Sequence, residues 1–238
     1  GIVKSIVIPR IELSNVIDNG LHFDGSSIEG FARVAESDMM LVPDLRTFTI
    51  LPWTRGQALT ARIICSVHKT SGEPFGGDPR NVLLRALQAA EDIGYSFKTG
   101  MELEFFLFRV GPDGRPVMDT TNDYAGYFDI VDDHVQRVNQ EMLTTLAELG
   151  IRVDSTHSEI GSGQHEVGFQ YSHALVSADH ILTARVALKT VAQQHGMYCT
   201  FMPRPLAHMP GSGMHTHQSL HDCHTNENVF ADPEHEYG

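Results

Sequence analysis

Apolar and polar positions change rhythm about a third of the way along the chain. Up to residue 70 the apolar residues fall in short runs broken by turn formers: Val3–Ile8, His22–Phe23, Met39–Val42, Phe48–Leu51 and Ala61–Val67. Such runs predict a small sheet domain with a long inserted loop around 24–38. Thr70 to Gly77 is turn-rich and reads as a linker. Beyond it the spacing lengthens to that of helices. Asp78-Pro79 supplies an N-cap with proline in the first turn, Val82, Leu83, Leu87 and Ala90 recur at helical spacing, and Gly94 marks the stop. A second helix is predicted from about Asp132 to Leu149, with Val135, Val138, Met142, Leu146 and Leu149 on one side and Gly150 at its end. A third begins after Ser177 and ends at Gly196. Strand candidates at 101–108, 151–154, 164–170, 198–203 and 213–220 lie between and after these helices. Helices packed on a sheet of mixed connections make this an α+β chain, and no internal repeat is visible.

Composition narrows the partners. The chain has 238 residues, 41% of them hydrophobic, which suffices for a buried core. Its net charge of −13 argues against a nucleic-acid or anionic-membrane surface, because those partners select clustered lysine and arginine. Small substrates and metal cations fit better. The three cysteines, Cys65, Cys199 and Cys223, show no paired spacing, so a reducing, cytoplasmic setting is expected. No apolar run is long enough to span a bilayer, and no signal-peptide pattern opens the chain. It opens at Gly1 inside an apolar stretch and stops at Gly238 after a polar loop, so both ends read as cut.

Three segments carry candidate chemistry. In Met101-Glu102-Leu103-Glu104-Phe105-Phe106, strand alternation sends Glu102 and Glu104 to one side and Leu103 and Phe105 to the other. Paired carboxylates repel unless one is protonated, salt-bridged or bound to a cation, although a wetted acidic face explains such a pair equally well. In Glu159-Ile160-Gly161-Ser162-Gly163-Gln164-His165-Glu166 the glycines permit a reversal that lets Glu159 and Glu166 converge. Alone, this is an ordinary turn. In Gly211-Ser212-Gly213-Met214-His215-Thr216-His217-Gln218-Ser219 the period of two puts His215, His217 and Ser219 on one face behind a glycine-rich approach. Single histidines on strands are usually structural, but four carboxylates and a histidine on three such segments favour a shared cation site. Oxygen-dominated donors suit Mg²⁺ or Mn²⁺.

With these motifs the chain resembles glutamine synthetase of the bacterial and archaeal type across its length. The resemblance rests on Phe23-Asp24-Gly25-Ser26-Ser27-Ile28-Glu29-Gly30-Phe31 with Glu36-Ser37-Asp38-Met39, on Glu102-Leu103-Glu104-Phe105-Phe106, on Gly163-Gln164-His165-Glu166, and on Gly211-Ser212-Gly213-Met214-His215. It implies a partial β-grasp domain at 1–72 and a catalytic domain at 73–238 with a curved antiparallel sheet and its C-terminal part missing. The reaction implied is ATP-driven ligation of ammonia to glutamate through a γ-glutamyl phosphate, at sites between subunits of a dodecamer of two hexameric rings. Two metals, Mg²⁺ or Mn²⁺, are implied per site: Glu104, Glu159 and Glu166 for one, Glu102 and His215 for the other. The resemblance further puts Gly211 against glutamate, His217 and Ser219 against the nucleotide, and Asp24 and Ser27 at an ammonium pocket serving the neighbouring subunit. Arg33 matches a position that mediates feedback inhibition by glutamine in one branch of the family.

Two residues depart from the family pattern. Pro210 stands where asparagine is usual beside Gly211, which leaves open a relative that joins glutamate to an organic amine or polyamine. Ser158 replaces a histidine common before Glu159. A non-catalytic homologue is a reading of another class, and the intact carboxylate set counts against it. A plain metal-dependent hydrolase is more distant still. The family's phosphate-clamping arginines, a further glutamate ligand and a flap glutamate are not in this segment, so the polypeptide alone is expected to be inactive.

Overall fold

The computed structural model describes residues 3–28, 37–56, 58–118 and 124–232. It divides into two compact units, one of residues 1–51 and 56–95, the other of residues 52–55 and 96–238.

In the first unit, helix α1 (Leu13–Asn19) precedes strands β1 (Leu21–Asp24), β2 (Asp38–Ile50) and β3 (Ala61–Lys69), and helix α2 (Pro79–Asp92) follows. The strands form an antiparallel three-stranded sheet with β2 in the middle. The expected runs 39–42 and 48–51 are two ends of one strand, interrupted by a register shift between Asp44 and Thr49. Thr47 bridges that bulge, donating to the Asp44 carbonyl and accepting from the Ile64 N–H. Val3–Ile8 forms no strand. Its side chains are largely exposed, Val7 at 88%, and an apolar run with nothing to pair against stays irregular. The short helix α1 was not anticipated: over seven residues Leu13, Val16 and Ile17 span too little for a period to be read, and only Val16 is buried.

Helix α2 begins where the cap signal puts it. The Asp78 carboxylate accepts from the Arg80 N–H through one oxygen and from the Val67 N–H through the other, which ties the helix start to β3. Arg80 then reaches Ser66 Oγ at 2.9 Å and Asp44 Oδ2 at 2.7 Å, with both charged side chains nearly buried. Hydrogen bonds from Arg46, helped by Arg80 and opposed by partial burial, hold the Asp44 carboxyl well below its ordinary value of 3.8. A depressed carboxylate stabilises the fold above its unfolded value, and that contribution is lost as pH falls toward the native one. Asp44→Ala is therefore expected to cost about 2 kcal/mol at pH 7, read by urea unfolding. The gap to the wild type should narrow at pH 2; a gap that does not change between the two pH values would show that the carboxylate charge is not what stabilises the bulge.

In the second unit, β4 (Tyr95–Arg109) is the central strand. It pairs antiparallel with β6 (Gln164–His173) and β7 (Met197–Thr200), β5 (Val153–Ser158) pairs with β6, and β8 (Met214–Asp222) pairs with β4. Helices α3 (Asp133–Glu148) and α4 (Ala174–Gln194) pack on each other, and α4 lies against β6 and β7. The α3 start is capped by Asp132, which accepts from the His134 and Val135 N–H groups. Val135, Val138, Met142 and Leu146 are buried as their spacing predicts, and Gly150 at φ 77° ends the turn. Helix α4 starts four residues earlier than expected, at Ala174.

Alternation on β4 changes character partway along. Glu102, Glu104, Phe106 and Phe108 share one side, but only the first two meet the open end of the sheet. Phe106 and Phe108 are fully buried, stacked 5.8 Å apart and closed over by Leu206, Met118 and Met209. The strand β5 continues four residues past the expected 151–154. Its sequence Ser155-Thr156-His157-Ser158 has no apolar alternation, yet it pairs with β6 as far as Ser158↔His165.

Candidate metal centre

Three adjacent strands bring the candidate ligands side by side. Register sets Glu104 on β4 opposite Glu166 on β6, and Glu166 opposite His157 on β5, so three ligand-type residues form one row across the sheet. Glu159 follows the end of β5, and the Gly161–Gly163 turn brings it back toward Glu166. The turn is closed by Gln164 N–H donating to the Gly161 carbonyl and Glu159 N–H to the Gln164 carbonyl, both at 2.8 Å. A Cβ on Gly161 would lie 2.8 Å from Gln164 Oε1 and 3.1 Å from the Phe106 ring, so the close approach needs glycine.

β8 adds two imidazoles. His215 Nδ1 lies 3.1 Å from Glu102 Oε2 and its Nε2 lies 3.7 Å from Glu104 Oε1, while His217 Nε2 lies 3.0 Å from Glu102 Oε1. Gly213 permits this, since a Cβ there would come within 2.9 Å of His215 Nε2 and 3.0 Å of Glu104 Oε1. The hydrogen bond to Glu102 raises the His215 pKa, with the charges of Glu104 and Glu166 adding to it. Burial pushes Glu102 up, but hydrogen bonds from His215 and His217 outweigh it and leave its pKa lowered. Glu166 is raised, by burial first and then by the like charge of Glu102. It is the carboxylate most in need of a cation.

Two groups of side chains can each bring three donor atoms within 4.8 Å of one another: Glu102, Glu166 and His215, and His157, Glu159 and Glu166. They share Glu166. Carboxylate oxygens with one imidazole each, around a charge that burial disfavours, fit a hard divalent cation such as Mg²⁺ or Mn²⁺. Glu104 falls in neither group among the described residues. Its Oε2 accepts a 2.8 Å hydrogen bond from the Gln164 amide. Sequence reasoning missed His157, whose only signal was its two-residue spacing from Glu159.

Gln164 was missed as well. It is 1% exposed, and its amide nitrogen donates to Glu104 Oε2 and to the Gly211 carbonyl at 2.9 Å, while its oxygen accepts from the Gly161 N–H. One side chain thus joins the acidic strand, the turn and the glycine loop. Gln164→Leu keeps the volume but strands three polar partners, and about 2–4 kcal/mol of stability should be lost in urea unfolding. A loss within 0.5 kcal/mol, by the ordinary scale of surface substitutions, would show that these bonds are not needed.

The remaining expected residues are dispersed. Gly211 is exposed, and a Cβ there would sit 2.6 Å from the Pro203 carbonyl oxygen. Ser219 is buried, with Oγ 3.0 Å from His221 Nε2, which also lies 3.1 Å from the Tyr171 hydroxyl. Asp24 belongs to the first unit, where it accepts from Ser26 N–H, Ser26 Oγ and, at 3.2 Å, Ser27 Oγ. Hydrogen bonding from Ser26 above all keeps its pKa low. Arg33 lies outside the described residues.

Comparison with known proteins places the chain in a family. Residues 1–70 match the family model for the glutamine synthetase beta-Grasp domain, and residues 76–238 match that for the glutamine synthetase catalytic domain. A glutamine synthetase from Staphylococcus aureus (strain MW2) is 45% identical over 240 residues, which is 100% of this chain and 53% of that protein. One from Staphylococcus epidermidis is 45% identical over 236 residues, covering 98% of this chain and 52% of the other. The chain spans about half the length of the curated relatives it matches. Among solved structures, apo GmaS without ligand superposes with a TM-score of 0.81 at 31% identity over 95% of this chain and 53% of that one. The cryo-EM structure of Plasmodium falciparum glutamine synthetase, at 24% identity, shares the fold with a TM-score of 0.78 over 92% of this chain and 47% of its own. No helix among the described residues is long and apolar enough to cross a membrane.

Proposed function

We propose, from the premise that this chain belongs to the glutamine synthetase family, that it supplies the acidic half of a site that ligates ammonia to glutamate at the expense of ATP. The observation that carries the reading is the pair of cation-compatible groups joined at Glu166. The division at 1–72 and 73–238 belongs to the same reading and is supported by the separate family matches to 1–70 and 76–238.

In this reading Glu159 and Glu166 hold one divalent cation with Glu104 beside it, and Glu102 and His215 hold the other, which Glu166 also reaches. Such cations supply charge neutralisation and alignment for phosphoryl transfer. The protein's own contribution is orientation. Gln164 links Glu104 to the Gly211 carbonyl, so the phosphoryl side of the site and the glycine loop proposed to face glutamate move as one piece. His217 and Ser219 are proposed on the nucleotide side. Asp24, with its low pKa, suits the capture of ammonium and, with Ser27, is proposed to serve a neighbouring subunit of a dodecameric ring assembly in the cytoplasm. The half-buried Pro210 beside Gly211 favours a second reading, in which an organic amine or polyamine replaces ammonia as acceptor.

Two measurements test the proposal. Mn²⁺ titrated into the protein should bind with a stoichiometry of two, and a longer protein of the relatives' length should release phosphate only when ATP, glutamate and an amine acceptor are all present. Phosphate release with methylamine or a polyamine but not with ammonium would favour the second reading. No Mn²⁺ binding would remove the basis of both.

A further inference from the structure

Phe128 is a bulky residue held at φ 62°, in the left-handed region, and its ring is 63% exposed. A non-glycine residue there is strained and persists only where its surroundings over-determine it. The ring buries too little to offset this.

What holds the strain is Ser158, which is 3% exposed. Its hydroxyl lies 2.8 Å from the Gly126 carbonyl and 2.9 Å from that of Asp129, sharing one proton between them, and its own carbonyl accepts from the Phe128 N–H at 3.1 Å. The turn is closed again by Gly126 N–H donating to the Asp129 carboxylate and Asp129 N–H to the Gly126 carbonyl. What the strain achieves is visible at His157. The Phe128 ring meets that imidazole edge-on at 4.5 Å and 73°, and Tyr127 does the same at 5.5 Å and 82°.

The third restraint is on the ring's nitrogens. His157 Nδ1 lies 3.1 Å from the Ser158 carbonyl. His157 Nε2 faces Glu166 Oε1 at 3.2 Å, and with Glu159 these two residues form a group whose donor atoms lie within 4.8 Å of one another. A divalent cation between the two takes a donor atom from each. Histidine ligands to metals are typically oriented in this way, by a backbone carbonyl at the other nitrogen.

We propose that the Gly126–Asp129 turn, tethered by Ser158 and wedged by Phe128, is a positioning device that fixes the His157 imidazole as a nitrogen ligand to a divalent cation shared with Glu159 and Glu166. This rests on the cation reading above and adds a ligand and its support to it.

The test uses Mn²⁺ as probe and a His215→Ala/His217→Ala background, in which His157 is the imidazole left among the donors just described. Mn²⁺ bound to this variant should show a ¹⁴N coupling in pulsed EPR. Phe128→Gly removes the ring and relieves the strained φ, so the thermal midpoint should hold or rise while Mn²⁺ affinity falls about tenfold and the coupling weakens. Ser158→Ala should lower affinity and coupling in the same way. A merely structural turn would not separate stability from binding. Unchanged affinity and coupling in Phe128→Gly would overturn the proposal even if Ser158→Ala does not fold. So would a background variant that shows no ¹⁴N coupling, or no binding, while the wild type binds Mn²⁺, and that result would leave the broader cation reading standing. Absence of Mn²⁺ binding by the wild type would overturn both.

Discussion

Glu166→Gln is expected to weaken divalent-cation binding at both groups at once, by at least about 100-fold, because both draw on this one carboxylate. Glu159→Gln, which touches only the group with His157, should leave one Mn²⁺ bound in a calorimetric titration. The same Glu166→Gln change should make the cation-free protein more stable. Glu166 is 8% exposed and faces the charges of Glu102, Glu159 and Glu104, so removing its charge relieves desolvation and repulsion together. A gain of about 2–4 °C in thermal midpoint without cation corresponds to roughly 1 kcal/mol in a domain of this size. Opposite signs for stability and binding are what a site assembled for a cation requires, since its ligands are strained against one another until the ion arrives. Glu166→Gln that binds two Mn²⁺ with wild-type affinity would refute the shared-ligand geometry.

Phe106→Ala should be the most destabilising single change in the second unit, at about 3–5 kcal/mol by urea unfolding. Phe106 is fully buried and stacked on Phe108, and its loss leaves a cavity under Leu206, Met118 and Met209. Against a typical total of about 5–15 kcal/mol, that is a large share of what holds a domain folded. The exposed Ile160→Ala should change stability by no more than about 0.5 kcal/mol. Phe106 also supports the site: it is two residues from Glu104 on the same side of β4, and its ring limits the approach of Gly161 in the turn between Glu159 and Glu166. The cavity variant should therefore bind Mn²⁺ more weakly under conditions where it remains folded. If Phe106→Ala costs less than 1 kcal/mol, the aromatic layer is not the core of this unit.

Much of the fold was legible because its signals are local. Asp78-Pro79 and Asp132 cap helices through their own side chains, and Gly94, Gly150 and Gly196 adopt the positive φ that ends them. Those interactions involve residues within a few positions of one another. The stretch Val3–Ile8 was misread for the same reason, since apolar content says nothing about whether a partner strand is present. β5 was clipped because Ser155–Ser158 has no apolar rhythm, and it is a strand only through its ladder with β6.

The site divides along the same line. Alternation alone put Glu102 and Glu104 on one side of a strand, whereas the glycines at 161 and 163 only permitted Glu159 and Glu166 to converge and by themselves read as an ordinary turn. Four carboxylates and a histidine on three such segments also favoured a shared cation. Which carboxylate belongs with which imidazole was decided by tertiary structure. Pairing of β6 with both β4 and β5 made Glu166 common to two groups and drew His157 into one of them, and it gave Glu104 to Gln164, 60 positions away. The physical reason is that a side chain's face follows from its own backbone, whereas its neighbours across a sheet follow from pairing that only the folded core enforces.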